Sequence, residues 1–173
     1  MKKTQEIAGR IGILVLLGIV GMIFSGCGND VAKPLKMGDP APIFSVPDLH
    51  GEMVTLDTYQ NKPVVIRFFL PDCKYCRADT AVFNEYYQKY RDKGLGVIYV
   101  NTAPRPDDVE KFVSDLGITF SVVLDPERKI ADQYRIQIVP QTVVLNPEHK
   151  IIGAILGGVS KEQLDSLLLS FFE

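Results

Sequence analysis

Cys73 and Cys76 stand with two residues between them in the stretch Cys73-Lys74-Tyr75-Cys76. On the first turn of a helix this spacing brings two sulfurs within disulfide reach, so the pair can cycle between dithiol and disulfide. The attacking form is the thiolate. A cysteine at a helix N-terminus gains support for it from unpaired backbone N–H groups and from the positive end of the helix dipole. Lys74 and Arg77 add positive charge nearby, and Asp72 opposes them. Attack on a substrate disulfide forms a mixed disulfide at Cys73, which Cys76 then resolves. Cys73 is therefore the expected nucleophile and Cys76 the resolving thiol. A C-x-x-C pair also serves as a static disulfide, as two buried thiols or as half of a zinc site. The chain has no second C-x-x-C, and His50 and His149 are its only histidines.

This chemistry requires a strand that ends just before Cys73 and a helix that begins there. Val64 to Leu70, enclosed by Pro63 and Pro71, is an apolar run rich in β-branched and aromatic residues, as in a strand buried on both faces. A long helix is expected from about Cys73 to Lys93, with Val82, Tyr86 and Tyr90 recurring every four residues beside Phe83 and Tyr87, and with Gly94 at its end. A second buried strand covers Leu95 to Val100. Pro106 to Leu116 reads as a helix with Asp107 and Asp108 in its first turn and Gly117 after its last. Ser121 to Leu124 is a third strand, and Asp125-Pro126 reads as a cap opening a short helix to about Tyr134. Thr142 to Leu145 and Ile151 to Leu156 form a hairpin across a five-residue loop. Ser160 and Gln163 make a capping box for a closing helix that buries Leu164, Leu167, Leu168 and Phe171. Upstream, Ile43 to Val46 and Met53 to Leu56 suggest an N-terminal β-hairpin. The class is α/β, a central mixed sheet flanked by helices.

The 173 residues are 46% hydrophobic and 23% charged, the profile of one globular domain. A net charge of −2 lacks the basic footprint that nucleic-acid binding requires. Lys2, Lys3 and Arg10 precede an uncharged apolar run from Ile11 to Phe24, followed by Ser25 and Gly26. This is the pattern of an export signal, and the run is short for a bilayer-spanning helix. Residues 1–26 are therefore read as a signal peptide, 27–36 as a tether and 37–173 as the folded domain. Phe24-Ser25-Gly26-Cys27 resembles a bacterial lipobox, with Leu replaced by Phe24, which implies lipidation at Cys27 and a membrane anchor outside the cytoplasm. In that compartment disulfides form and persist.

Met37-Gly38-Asp39-Pro40-Ala41-Pro42-Ile43-Phe44, Lys62-Pro63-Val64-Val65-Ile66-Arg67-Phe68-Phe69, the C-K-Y-C motif and Val139-Pro140-Gln141-Thr142 with Asn146-Pro147-Glu148 resemble the TlpA/ResA-like thiol-disulfide oxidoreductases of the thioredoxin superfamily, which are related to the AhpC/TSA proteins. The likeness runs in order from about Met37 to Phe171. It implies a thioredoxin-like fold and an extracytoplasmic, membrane-tethered enzyme that exchanges disulfides with protein substrates. It further implies service as a reductant in cytochrome c maturation, with electrons from a membrane thiol-disulfide donor and with no cofactor or metal. By the same resemblance Pro140 is a cis-proline facing the redox pair. Val139, Lys74 and Tyr75 meet the substrate, and Asp79 matches an acidic residue that takes the proton of the second cysteine; the other reading of Asp79 is an exposed helix charge.

The sequence departs from the family pattern at Asp72, where Trp is usual, at Lys74-Tyr75 between the cysteines, and at Arg67. Thioredoxins carry a buried carboxylate at the Arg67 position and many relatives an Asn. A guanidinium in so apolar a strand requires a carboxylate, Asp79 or Glu85, unless its side chain runs out to solvent at the sheet end. Two other readings share the fold. A peroxiredoxin-like peroxidase would have Thr where Leu70 stands, three residues before Cys73. A Sco-like copper chaperone would use C-x-x-x-C with a distant His.

Overall fold

The computed structural model describes residues 35–103 and 108–173. The signal segment, Cys27, nearly all of the tether and the expected helix start at Pro106 and Asp107 lie outside the described residues. β1 (Ser45–Pro47) and β2 (Met53–Thr55) pair antiparallel in a two-stranded sheet. β3 (Val64–Phe69) is followed by α1 (Lys74–Tyr90), β4 (Gly96–Asn101), α2 (Val109–Leu116) and β5 (Ser121–Leu124). α3 (Lys129–Gln133), β6 (Gln141–Leu145), β7 (Ile151–Leu156) and α4 (Lys161–Leu168) complete the order.

The main sheet runs β5-β4-β3-β6-β7, with β3, β4 and β5 parallel and β6 and β7 antiparallel additions. Every residue of β3 and β4 is buried, which is why both strands read as unbroken apolar runs rather than as alternations. Alternation nevertheless divides their side chains between two cores. Val65 and Phe69 face a cluster with Phe83, Tyr86 and Tyr90 of α1, Phe112 of α2 and Leu164 and Leu168 of α4. Val64, Ile66 and Phe68 face Ile130, Ala131 and Tyr134 from the α3 region together with Phe44, Val54 and Leu56 from the N-terminal segment.

Several boundaries move for local reasons. Cys73 is the cap of α1 and not its first residue, and the helix passes at Arg91–Lys93 into a tighter 3-10 turn that Gly94 closes with a positive φ of 99°. The second strand starts at Gly96 rather than Leu95. There a Cβ would lie 2.5 Å from the Tyr59 ring, so the strand and that ring meet only because the residue is glycine.

α3 begins at Lys129, not at Pro126. Asp125 to Arg128 form a turn closed by the Arg128 N–H on the Asp125 carbonyl (3.0 Å), with Arg128 left-handed at φ 58°. Asp125 still acts as a cap from a distance, accepting the Ile130 and Ala131 N–H groups at 3.1 and 2.8 Å. The Ser160/Gln163 capping box forms as read. At the C-terminus Phe171 is exposed and Phe172 is the buried ring, stacked on Tyr90, because the chain leaves α4 through a 3-10 turn that rotates the face by one residue.

Candidate functional site

The turn between β3 and α1 places Cys73 at the mouth of the sheet. The Cys73 N–H donates to the Leu70 carbonyl (3.2 Å), and the Cys76 N–H donates to Cys73 Sγ (3.3 Å). The Cys73 sulfur is therefore also the cap of the helix, an acceptor for a donor that would otherwise be unsatisfied. Both cysteines are free thiols, Cys73 half-buried and Cys76 1% exposed. Burial first, and the neighbouring Cys73 sulfur next, push the Cys76 thiol up to about 12. One sulfur can meet a large substrate and the other cannot.

Lys74 and Tyr75, between the cysteines, point outward; Tyr75 is 57% exposed, with Lys74 Nζ 4.9 Å from its ring centre. Arg77 does not add free positive charge to the pair. It reaches Asp115 of α2 at 3.1 Å and lies over the Phe112 ring. On the opposite side, the Val139–Pro140 peptide is cis. Antiparallel register sets Phe68 opposite Gln141, which brings Pro140 to the same end of the sheet as the Cys73 turn. The Pro140 carbonyl accepts the Gly157 N–H (2.8 Å), tying the β6 entry to the β7 exit.

Beneath the pair, Arg67 is fully buried and its carboxylate partner is Asp79, not Glu85; the outward route to solvent is not taken. Asp79 is 8% exposed, so it is no surface helix charge. The Arg67 Nη2 donates to Asp79 Oδ2, which also accepts the Val159 N–H at 2.8 Å. Nη1 donates to Thr142 Oγ1 (2.7 Å) and to the Gly157 carbonyl (3.0 Å), and the guanidinium carbon sits 5.1 Å from the Phe83 ring centre. Burial raises the Asp79 carboxyl above the ordinary carboxylate range, with the Arg67 charge and the Val159 N–H pulling it back. Among the described residues Arg67 Nε and Asp79 Oδ1 are buried without a hydrogen-bond partner.

Thr142, Gly157 and Val159 are the parts of this constellation that sequence reading missed. Thr142 reads only as a strand start and as the end of the Val139-Pro140-Gln141-Thr142 motif, and the other two carry no signal, because their roles come from pairing across the sheet. His149 is engaged elsewhere, its Nε2 2.9 Å from the Tyr59 carbonyl. Among the described residues no group of three His, Cys, Asp or Glu side chains is placed to hold a metal ion.

A model of the AhpC/TSA family matches residues 37–154, most of the domain and all of the constellation up to β7. The chain belongs to the AhpC/TSA family. Within it, the chain is 32% identical over 169 residues to the thiol-disulfide oxidoreductase ResA of Bacillus thuringiensis (strain Al Hakam), covering 97% of each protein. Against the thiol-disulfide oxidoreductase ResA of Bacillus subtilis (strain 168) the identity is 26% over 170 residues, covering 95% of this chain and 92% of that one. A crystal structure of a candidate thiol:disulfide interchange protein DsbE from Chlorobium tepidum superposes with a TM-score of 0.75 at 27% identity, over 80% of this chain and 99% of the other. This AhpC/TSA member has the thioredoxin-like fold, and it is a thiol-disulfide oxidoreductase with Cys73 and Cys76 as its C-x-x-C pair.

Proposed function

We propose that this thiol-disulfide oxidoreductase works outside the cytoplasm as a reductant of protein disulfides, anchored to a membrane by lipid on Cys27 and recharged by a membrane thiol-disulfide donor. Cytochrome c maturation is the proposed setting, because there a cysteine pair must be kept reduced in an oxidising compartment. The observation that carries the reading is the asymmetry of the pair: Cys73 half-exposed at the helix cap, Cys76 buried and held as a thiol. Cys73 Sγ attacks a substrate disulfide and one substrate sulfur leaves as thiolate. Cys76 then attacks Cys73 Sγ, the Cys73–Cys76 bond forms, and the second substrate sulfur leaves with its electron pair. The substrate gains two electrons and the enzyme pair is oxidised. Asp79, one helical turn beyond Cys76, takes the proton that Cys76 must lose. Lys74, Tyr75 and the Val139 backbone receive the substrate segment.

What holds the reduced form supports the reductant direction. Cys73 Sγ accepts one backbone N–H; of the two cations that could have added to it, Arg77 is committed to Asp115 and Lys74 lies over the Tyr75 ring. Strong oxidants of this fold owe their high potential to extra stabilisation of the reduced form. A redox titration against dithiothreitol should place the pair near thioredoxin's about −270 mV; a value near DsbA's about −120 mV would make it an oxidant. A peroxidase reading has no support at Leu70, which offers no hydroxyl to a peroxide.

A further inference from the structure

Arg67 is the group in this site that the exchange chemistry does not itself call for. A buried cation is costly unless it is matched and hydrogen-bonded, so its presence under a redox pair requires a reason. Its bonds have a pattern. Nη1 serves the strand that follows Pro140 and the turn at Gly157, and Nη2 serves Asp79 on the helix that carries both cysteines. On the carboxylate both donors, Arg67 and the Val159 N–H, fall on Oδ2, and Oδ1 is left buried with no partner among the described residues. Asp79 lies three residues from Cys76, on the same face of α1, at the spacing where helix side chains are neighbours.

We propose that Arg67 is a positioning residue of the redox site: it holds Asp79 as a carboxylate, occupies Oδ2, and so reserves Oδ1 to exchange a proton with the Cys76 sulfur. The proposal rests on Asp79 being the proton acceptor. In the resolving step the Cys76 S–H bond breaks and its proton goes to Oδ1. The sulfur's electron pair forms the bond to Cys73 Sγ, and the substrate thiolate leaves and is protonated by water. Without Arg67 the buried carboxyl takes up a proton itself, and Oδ1 is no longer an acceptor. The titratable and charged groups facing this point are Arg67 on β3, Cys73 at the cap of α1, Cys76 and Asp79 on α1, and Tyr99 on β4, whose hydroxyl lies 3.4 Å from Thr80 Oγ1. β6 and the Gly157–Val159 turn contribute a hydroxyl and backbone groups only.

The test is single-turnover reduction of a disulfide-linked reporter peptide by the full-length reduced protein across pH, with Arg67→Gln, Arg67→Lys and Asp79→Asn. Arg67→Gln should move the midpoint of the resolving step upward and slow it about tenfold at neutral pH, one unit of midpoint being tenfold in the ionised fraction. Arg67→Lys should return the midpoint toward that of the wild type. Asp79→Asn should slow the step at every pH. An unchanged Arg67→Gln midpoint beside a slow Asp79→Asn overturns the role of Arg67 and leaves the acceptor in place. A wild-type Asp79→Asn removes the acceptor, and the proposal with it. Infrared difference spectra of the wild type give an independent reading should Arg67→Gln not fold: a protonated-carboxyl band at neutral pH that Asp79→Asn abolishes would overturn the proposal.

Discussion

Thr142 stands directly opposite Arg67 in the antiparallel β3–β6 ladder, and its hydroxyl accepts from Arg67 Nη1 at 2.7 Å. The same row continues through Tyr99 of β4. A residue two positions past the cis-proline is thus bonded to the residue beneath the redox helix, and the two sides of the site share one buried cation. Thr142→Val keeps the shape and removes the acceptor. It should cost about 1–3 kcal/mol in urea unfolding, the range for leaving a buried donor short of a partner. No loss would mean that the Gly157 carbonyl alone suffices for Nη1.

The two cysteines should separate cleanly in trapping experiments. Cys73→Ser should abolish insulin reduction, whereas Cys76→Ser should accumulate a mixed disulfide through Cys73, visible on a non-reducing gel and by mass. Faster modification of Cys76 than of Cys73 by a thiol reagent at neutral pH would reverse the assigned roles.

Stability of the reduced protein should fall in alkali because of Cys76. Its folded thiol is pushed up to about 12 from an ordinary 9.0, so the contribution is complete below pH 9 and is lost as pH rises toward 12. In that window the unfolded chain releases a proton that the folded one keeps, a slope of about 1.4 kcal/mol per pH unit. Buried tyrosines add to the same limb, so the measurement is the difference in urea stability between reduced wild type and Cys76→Ala from pH 8 to 10. Parallel curves would show that Cys76 titrates alike in both states.

Gly96→Ala should destabilise by about 1–3 kcal/mol, because the new methyl would sit 2.5 Å from Tyr59 Cδ1 and the ring must move. A thermal melt compared with that of Tyr59→Ala/Gly96→Ala reports whether removing the ring relieves the strain.

For the anchor, mass spectrometry of the membrane fraction should find a diacylglyceryl-modified N-terminal Cys27. Recovery of chains that still begin at Met1 would argue against processing there.

Much of this was legible in the chain. The Val64 to Leu70 run, buried on both faces as far as Phe69 where the strand ends, and the cysteine spacing after it pointed to the site, and a lone arginine in that run called for a carboxylate unless it ran out to solvent; the partner is Asp79. What stayed hidden depended on contacts distant in sequence or on local turns. The register that sets Thr142 against Arg67 has no periodic signature, nor does the Val159 N–H on Asp79. Asp125-Pro126 signalled a helix start correctly in kind but early by three residues, because a left-handed Arg128 intervenes. Arg77 read as a cation for the thiolate only because Asp115, 38 residues later, was not seen to face it.

The Arg67–Asp79 pair also limits how the sequence can drift. Replacing Asp79 alone strands Arg67 as an unpaired buried cation, at a cost of about 3–5 kcal/mol against a typical domain stability of about 5–15 kcal/mol, whereas losing Arg67 lets the buried Asp79 carboxyl neutralise itself by taking up a proton. Replacing both at once by neutral groups of similar volume carries no such cost. Drift through this pair therefore has a direction: Arg67 can give way to a neutral residue while Asp79 stays, but Asp79 cannot be lost twelve residues downstream while Arg67 remains.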